Sequence, residues 1–302
     1  MDLTDAASPR RLIETNGYWI APGVLSREET ANLRRTLLAH FRRGGVRERL
    51  GRHQPGSAIM IPGLHWLLCH PGILSAIRGL LGDGQLVFCG NCDTHLNMLS
   101  HWHRDINEHL GGCFRGDYLS RPDCRVYRAG IYLQDHDTDH LGLKVRRGSH
   151  RQRNPDGLPD ERPRTHEGDV AFFDIRVIHA GVLPDPFEHL LLAIGRRLGW
   201  PRWVIAIKDA WWRLTGKHRK LSTFFTFGIV SSDTEDYCRF ELELLRKRLG
   251  AQAVRLPAAL RAALKSAGVL TYEDAIVQHY GDEAMNAFAT GAPLPPRIWG
   301  QV

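Results

Sequence analysis

Between residues 86 and 179 the apolar positions stop recurring at helical spacing and fall into short runs separated by turn residues. The runs lie at 86–88, 94–99, 126–134, 143–145 and 170–174, punctuated by Gly111-Gly112 and Gly148-Ser149. Short runs of this kind must pair with one another, because an unpaired strand leaves its backbone polar groups unsatisfied. On either side the period is helical. Upstream, Gly17-Tyr18-Trp19-Ile20 reads as a strand closed by Pro22-Gly23, and Ser26 with Glu29 forms a capping box before Leu33, Leu37, Leu38 and Phe41. A second helix is expected over 70–81, and further helices over 236–249, 256–266 and 271–289. With no internal repeat or low-complexity linker, the pattern predicts one domain over 1–302, mainly β with flanking helices. Its parts are a helical and strand support (1–85), a β core (86–230) with an insert at 183–217, and C-terminal helices (231–302).

Composition narrows the class. A net charge of +7 over 302 residues favours an anionic substrate or surface. Nucleic acid is not expected as a partner, since no recognised binding motif is present and the basic residues are dispersed outside one segment. The amino terminus lacks the basic and apolar regions of a secretory signal, and no stretch approaches the ~18 apolar residues of a membrane span. Six free cysteines in a reducing, cytoplasmic setting are therefore expected. Cys89-Gly90-Asn91-Cys92 is a lone CxxC, and a structural role is expected for it.

The chemistry-bearing run is Ser100-His101-Trp102-His103-Arg104-Asp105, answered downstream by Asp174-Ile175-Arg176-Val177-Ile178-His179. On extended backbone, residues i and i+2 point the same way, so His103 and Asp105 converge while Arg104 points away. A distant histidine such as His179 must then come from a neighbouring strand. Two imidazoles and one carboxylate are the ligand set of a facial triad, which holds non-haem Fe(II) and leaves positions open for a chelating co-substrate and O2.

Four motifs in order resemble the phytanoyl-CoA dioxygenase family of Fe(II)/2-oxoglutarate oxygenases, over most of residues 12–230. They are Asn16-Gly17-Tyr18-Trp19-Ile20-Ala21-Pro22-Gly23-Val24-Leu25-Ser26; Trp102-His103-Arg104-Asp105; Ala129-Gly130-Ile131-Tyr132-Leu133-Gln134-Asp135 with Arg147-Gly148-Ser149-His150; and Glu167-Gly168-Asp169-Val170-Ala171-Phe172-Phe173-Asp174 leading into His179-Ala180-Gly181. The resemblance implies a double-stranded β-helix (a jelly-roll, cupin-like core) with iron at its open end. It also implies that 2-oxoglutarate is decarboxylated to succinate while a C–H bond is oxidised. Related halogenases replace the carboxylate ligand with a small residue, so Asp105 favours hydroxylation, or desaturation or ring closure, over halogenation.

The co-substrate's distal carboxylate needs a cation, for which the family uses an arginine at the start of the last core strand. Here that spacing is broken. Arg219 is the expected anchor, because residues 218–227 read as the strand and alternation puts Arg219, Leu221, Thr223 and Phe225 on one face; Arg197 is the alternative. Tyr132 and Asn97 are expected to line the co-substrate pocket. The insert holds four of the eight tryptophans (Trp200, Trp203, Trp211, Trp212) among basic and aliphatic residues. Such a mixture suits a peripheral membrane contact through 189–217, a substrate lid or an oligomer contact.

His101 is expected to line the pocket, His150 to serve its turn, and His136, Asp137, Asp139 and His140 to form a solvated loop or a substrate contact. The expected function is oxidation of a small-molecule or lipid-linked substrate. A non-catalytic binding or regulatory protein of the same fold is the competing class, as is a membrane-associated oxygenase acting on a lipid or glycolipid. A zinc hydrolase using His101 and His103 is disfavoured, because no HExxH-like base accompanies them. The primary substrate and the oligomeric state are left open by the sequence.

Overall fold

The structure is a computed structural model that describes residues 8–106, 112–114, 117–119, 121, 124–136, 141–217, 219–250 and 254–299. Gly111, Asp137, Asp139, His140 and His218 lie outside these residues. Two sheets face each other. The larger contains β1 (Tyr18–Ala21), β2 (Val46–Glu48), β3 (Gly51–Gln54), β4 (Leu86–Leu96), β5 (Val126–Tyr132), β8 (Val170–Asp174), β10 (Leu221–Ile229) and β11 (Val269–Thr271). Its order is β1-β8-β5-β10-β4-β3-β2, antiparallel throughout except where β11 joins β4 in parallel. The smaller sheet pairs β6 (Lys144–Arg146) with β7 (Asp160–Glu161) and β9 (His179–Ala180).

Each face of the large sheet has its own core. The outer face (Phe88, Ala129, Ile131, Phe172, Phe225) packs on helices α1 (Pro9–Asn16), α2 (Arg27–Arg43) and α3 (Pro71–Leu81) through Ile13, Leu33, Leu37, Phe41, Ile73 and Ile77. The capping box expected at Ser26 is formed: Ser26 Oγ accepts the Glu29 N–H (3.2 Å) and Glu29 Oε2 accepts the Ser26 N–H (2.8 Å). The inner face carries Tyr132, Ala171, Phe173 and Phe224 against Leu143, Val145 and Val177 from the small-sheet side.

Several sequence expectations are redrawn. The runs at 86–88 and 94–99 belong to one strand, β4, which continues through the polar stretch Gly90–Asp93 and stops before Asn97, whose φ is +54°. Within β4, Cys89 packs in the core of the C-terminal helices and Cys92 in the core under α2 and α3, so the CxxC thiols point to opposite sides and do not share a ligand.

The insert forms a helical hairpin, α4 (Pro186–Leu198) and α5 (Arg202–Leu214). Gly199 in the left-handed region ends α4, and Gly195 lies where an added Cβ would sit 2.4 Å from the Trp200 ring. The hairpin seats Leu191, Val204 and Trp212 against Leu50, Leu99, Leu141 and Val182. After β10 come α6 (Ser232–Leu249), α7 (Ala258–Ser266), α8 (Tyr272–Tyr280) and α9 (Asp282–Ala289). The expected helix over 271–289 thus divides at Gly281, where φ is +83°.

Candidate metal centre

His103 and His179 are cross-strand neighbours. Each N–H donates to the other's carbonyl (3.0 and 2.9 Å), and the rings lie 4.5 Å apart between centroids. The Asp105 N–H donates to the Ile175 carbonyl (2.8 Å), which brings the next outward-facing position of the same extended segment onto the pair. One ligand atom from each of His103, Asp105 and His179 lies within 4.8 Å of the others. Asp105 Oδ1 is 3.5 Å from His103 Nε2, and Asp105 Oδ2 is 3.5 Å from His179 Nε2.

The surroundings fit a cation. His103 Nδ1 faces the His101 carbonyl (2.7 Å) and His179 Nδ1 faces the Val177 carbonyl (3.1 Å). A carbonyl only accepts, so Nδ1 carries the proton in each ring and Nε2 keeps its lone pair toward Asp105. Asp105 Oδ2 is buried and has no hydrogen-bond partner, although Arg128 Nη1 is 3.0 Å away. Burial opposes charge on Asp105, but the Arg128 guanidinium beside it outweighs that and holds the carboxyl far below its usual range. Burial pushes the His179 imidazole down to about 4, leaving it neutral and ready to ligate at neutral pH.

Two cavities meet at these residues. The first is lined by Asn97, Tyr132, Leu143, Phe173, Phe224 and Lys220 beside His103, Asp105 and His179. The second is lined by Asn91, Asp93, His53, His101, Glu241 and Arg248 beside His103 and Asp105. The inner face of the large sheet supplies part of these walls by alternation: Asn91, Asp93 and His95 on β4, and Arg128 and Tyr132 on β5, with Gly130 between them on the same face. Phe224 on β10 crosses to Gly130, where a Cβ would sit 2.9 Å from its ring.

The structure sets neither expected arginine at these cavities. Arg219 is exposed and lines neither cavity, and Arg197 is exposed on α4 and lines neither. The cavity-facing residues at this end of the chain are Lys220 and Phe224, whereas Leu221 and Phe225 belong to the opposite core. A one-residue slip in alternation exchanges the faces of a strand, so of these two neighbours Lys220 rather than Arg219 lines the first cavity, together with Arg49 and Arg128. Its ammonium lies 5.5 Å from the Tyr132 ring centroid and beside Gly181, where a Cβ would be 2.6 Å away.

Tyr132 and Asn97 both line the first cavity. Asn97 also braces Lys220. The Asn97 N–H donates to the Lys220 carbonyl (2.8 Å), and Asn97 Oδ1 accepts the Lys220 N–H (2.9 Å).

Arg128 was missed by sequence reasoning. It is buried, bridges Asp105 (3.0 Å) and Asp93 (3.3 Å), and follows from Tyr132 by the period of two along β5. His101 lines the second cavity, with its ring 5.1 Å from that of His103. His150 is buried with Nε2 against the Glu14 carbonyl (3.0 Å), and His136 is buried in a bridge to Thr165. No hairpin residue lines either cavity.

No protein-family model and no curated protein matches the chain. Solved structures do. The non-haem α-ketoglutarate-dependent epimerase SnoN from nogalamycin biosynthesis superposes with a TM-score of 0.52 at 18% identity, over 74% of this chain and 82% of that one. A SnoN complex with Fe3+, α-ketoglutarate and nogalamycin RO gives 0.51 at 16% identity, over 74% and 83%. The α-ketoglutarate-dependent carbocyclase SnoK gives 0.51 at 17% identity, over 74% and 83%. The chain shares the jelly-roll fold of these structures.

Proposed function

We propose that the chain is an iron(II)- and 2-oxoglutarate-dependent oxygenase of the phytanoyl-CoA dioxygenase type that hydroxylates a C–H bond of a small-molecule or lipid-linked substrate. The observation that carries this reading is the convergence of His103, Asp105 and His179 where two cavities meet. These residues would hold iron on one side and leave the remaining positions to a chelating keto acid and oxygen. When bound, the metal supplies oxygen activation, coupled to decarboxylation of 2-oxoglutarate to succinate.

The chain's own contribution is positioning. In the first cavity Lys220 meets the distal carboxylate of 2-oxoglutarate as a point charge, a role an arginine fork fills by family resemblance. Phe173, Phe224 and Leu143 keep water from the keto acid. Arg128 holds Asp105 ionised and oriented. The second cavity receives the substrate, and its polar walls select a hydrogen-bonding molecule or the polar head of a lipid-linked one. Asp105 occupies the position that a halide would need, which supports hydroxylation. SnoN and SnoK, an epimerase and a carbocyclase, suggest where C–H oxidation on this fold also leads.

The test is succinate formation from 2-oxoglutarate with Fe(II) and O2, alongside Mn(II) binding read by electron paramagnetic resonance. His103→Ala and Asp105→Ala are expected to lower both at least 100-fold. Undiminished succinate formation in either variant would remove the triad from the reaction.

A further inference from the structure

Large apolar side chains exposed among the described residues are Val46, Met60, Leu190, Leu198, Trp203, Ile207, Leu214 and Val230. Five of these eight belong to the α4–α5 hairpin, and Leu214 is 82% exposed. On α5 they form a strip. Trp203, Ala206, Ile207 and Leu214 recur at helical spacing on the exposed side, while Val204, Ile205, Lys208 and Trp212 are buried on the other. The strip is therefore a second apolar face on a helix whose first is already packed.

The exposed charges around it are predominantly basic. Arg196, Arg197, Arg202 and Arg213 are exposed. The three acids of residues 185–217 are engaged within the hairpin and its seat. Asp185 binds Trp211 Nε1 (2.9 Å) and Lys217 (3.0 Å), Glu188 is buried against Trp212 and Lys217, and Asp209 pairs with Lys208 (3.0 Å). Apolar residues rimmed by four exposed arginines, with the hairpin's acids each paired to a lysine, complement a surface that is apolar below and anionic above. A second copy is a poorer occupant, because a two-fold contact would face these arginines with their own images. A lid over the substrate is also disfavoured, since the hairpin lines neither cavity.

We propose that the outer face of the α4–α5 hairpin docks the protein on an anionic lipid bilayer, lying in the interface. No described helix is long and apolar enough to cross a membrane, so the contact is peripheral. Trp203, Ile207 and Leu214 enter the headgroup boundary, and the arginines engage phosphate. The inference is independent of the metal chemistry.

The experiment is co-sedimentation of the full chain with vesicles of equal parts phosphatidylcholine and phosphatidylglycerol, against vesicles of phosphatidylcholine alone. Wild type is expected to bind the anionic vesicles, to release at high salt, and to ignore the neutral ones. The triple variant W203S/I207S/L214S should bind at least tenfold less with an unchanged melting temperature, since all three positions are exposed. R202Q/R213Q should weaken binding severalfold. Absence of wild-type binding, or equal binding by the triple variant, overturns the proposal. So does self-association by analytical ultracentrifugation that the triple variant abolishes while vesicles go unbound, because the face would then join two copies.

Discussion

Asn97 grips Lys220 from both sides, giving its own N–H to the Lys220 carbonyl at 2.8 Å and taking the Lys220 N–H on its side-chain oxygen at 2.9 Å. Asparagine suits the post because it tolerates the φ of +54° that the backbone needs here. Asn97→Ala loses the side-chain acceptor and takes on a left-handed strain of about 1 kcal/mol. We expect a melting temperature a few degrees lower and a severalfold rise in the KM for 2-oxoglutarate. Asn97→Gly relieves the strain but not the lost acceptor, so it should recover only part of the stability and keep the raised KM.

Lys220→Met should raise the KM for 2-oxoglutarate by about 10- to 100-fold, the worth of a charge-assisted hydrogen bond of about 1.5–3 kcal/mol. Arg219→Ala should change it less than about twofold, because that side chain is exposed and surface substitutions away from a site are near neutral. Steady-state succinate kinetics on the two variants decides between neighbouring residues, and the opposite order returns the anchor to Arg219.

Gly181 leaves the room that the Lys220 ammonium uses. A methyl at Gly181→Ala meets the far end of a flexible chain, which swings away without disturbing the backbone. The variant is therefore expected to fold with a near-normal melting temperature and to bind 2-oxoglutarate at least fivefold more weakly by titration calorimetry. A large loss of stability with unaltered affinity would show that the glycine serves the backbone instead.

Burial pushes the Glu241 carboxyl up from its ordinary 4.5 to about 7, with Asn91 donating to it at 2.8 Å. The folded protein thus holds a proton there that the unfolded chain has released between pH 4.5 and 7, and folding weakens as pH rises through that window. The penalty above pH 7 is at most about 3 kcal/mol. Glu241→Gln should flatten this dependence, so denaturant midpoints at pH 5 and pH 8.5 lie closer together in the variant than in wild type. An unchanged difference would place the titration elsewhere.

The triad was legible because its logic is local. An H-x-D on extended backbone aims two ligands one way, and a lone histidine after Phe172-Phe173-Asp174 supplies the third. The cation that faces the first cavity, Lys220, was not legible, and the reason is the strand that follows it. From Leu221 to Gly228 every residue of β10 is buried, since the strand runs through the middle of the large sheet with a core on each side. Such a strand shows no polar alternation, so sequence cannot say which face is inward. The same burial hid Arg128 inside the all-buried β5. In β4 the opposite happened: Asn91, Asp93 and His95 line cavities, and their polarity broke one strand into two apparent runs.

The hairpin is not a detachable module. Lys208 is fully buried, donates to the Asn97 carbonyl at 2.8 Å and lies 3.9 Å from the Trp212 ring centroid, while the Asn97 side-chain amide reaches Asp209 at 3.3 Å. A shortened chain that joined Val182 directly to Arg219 would bare Leu50, Leu99 and Val182 and remove two of the contacts that fix Asn97, and with it Lys220. A segment that looks like a late addition to the jelly roll has therefore become one of its walls, and trimming the protein to its common core would trim away what holds Lys220 at the cavity.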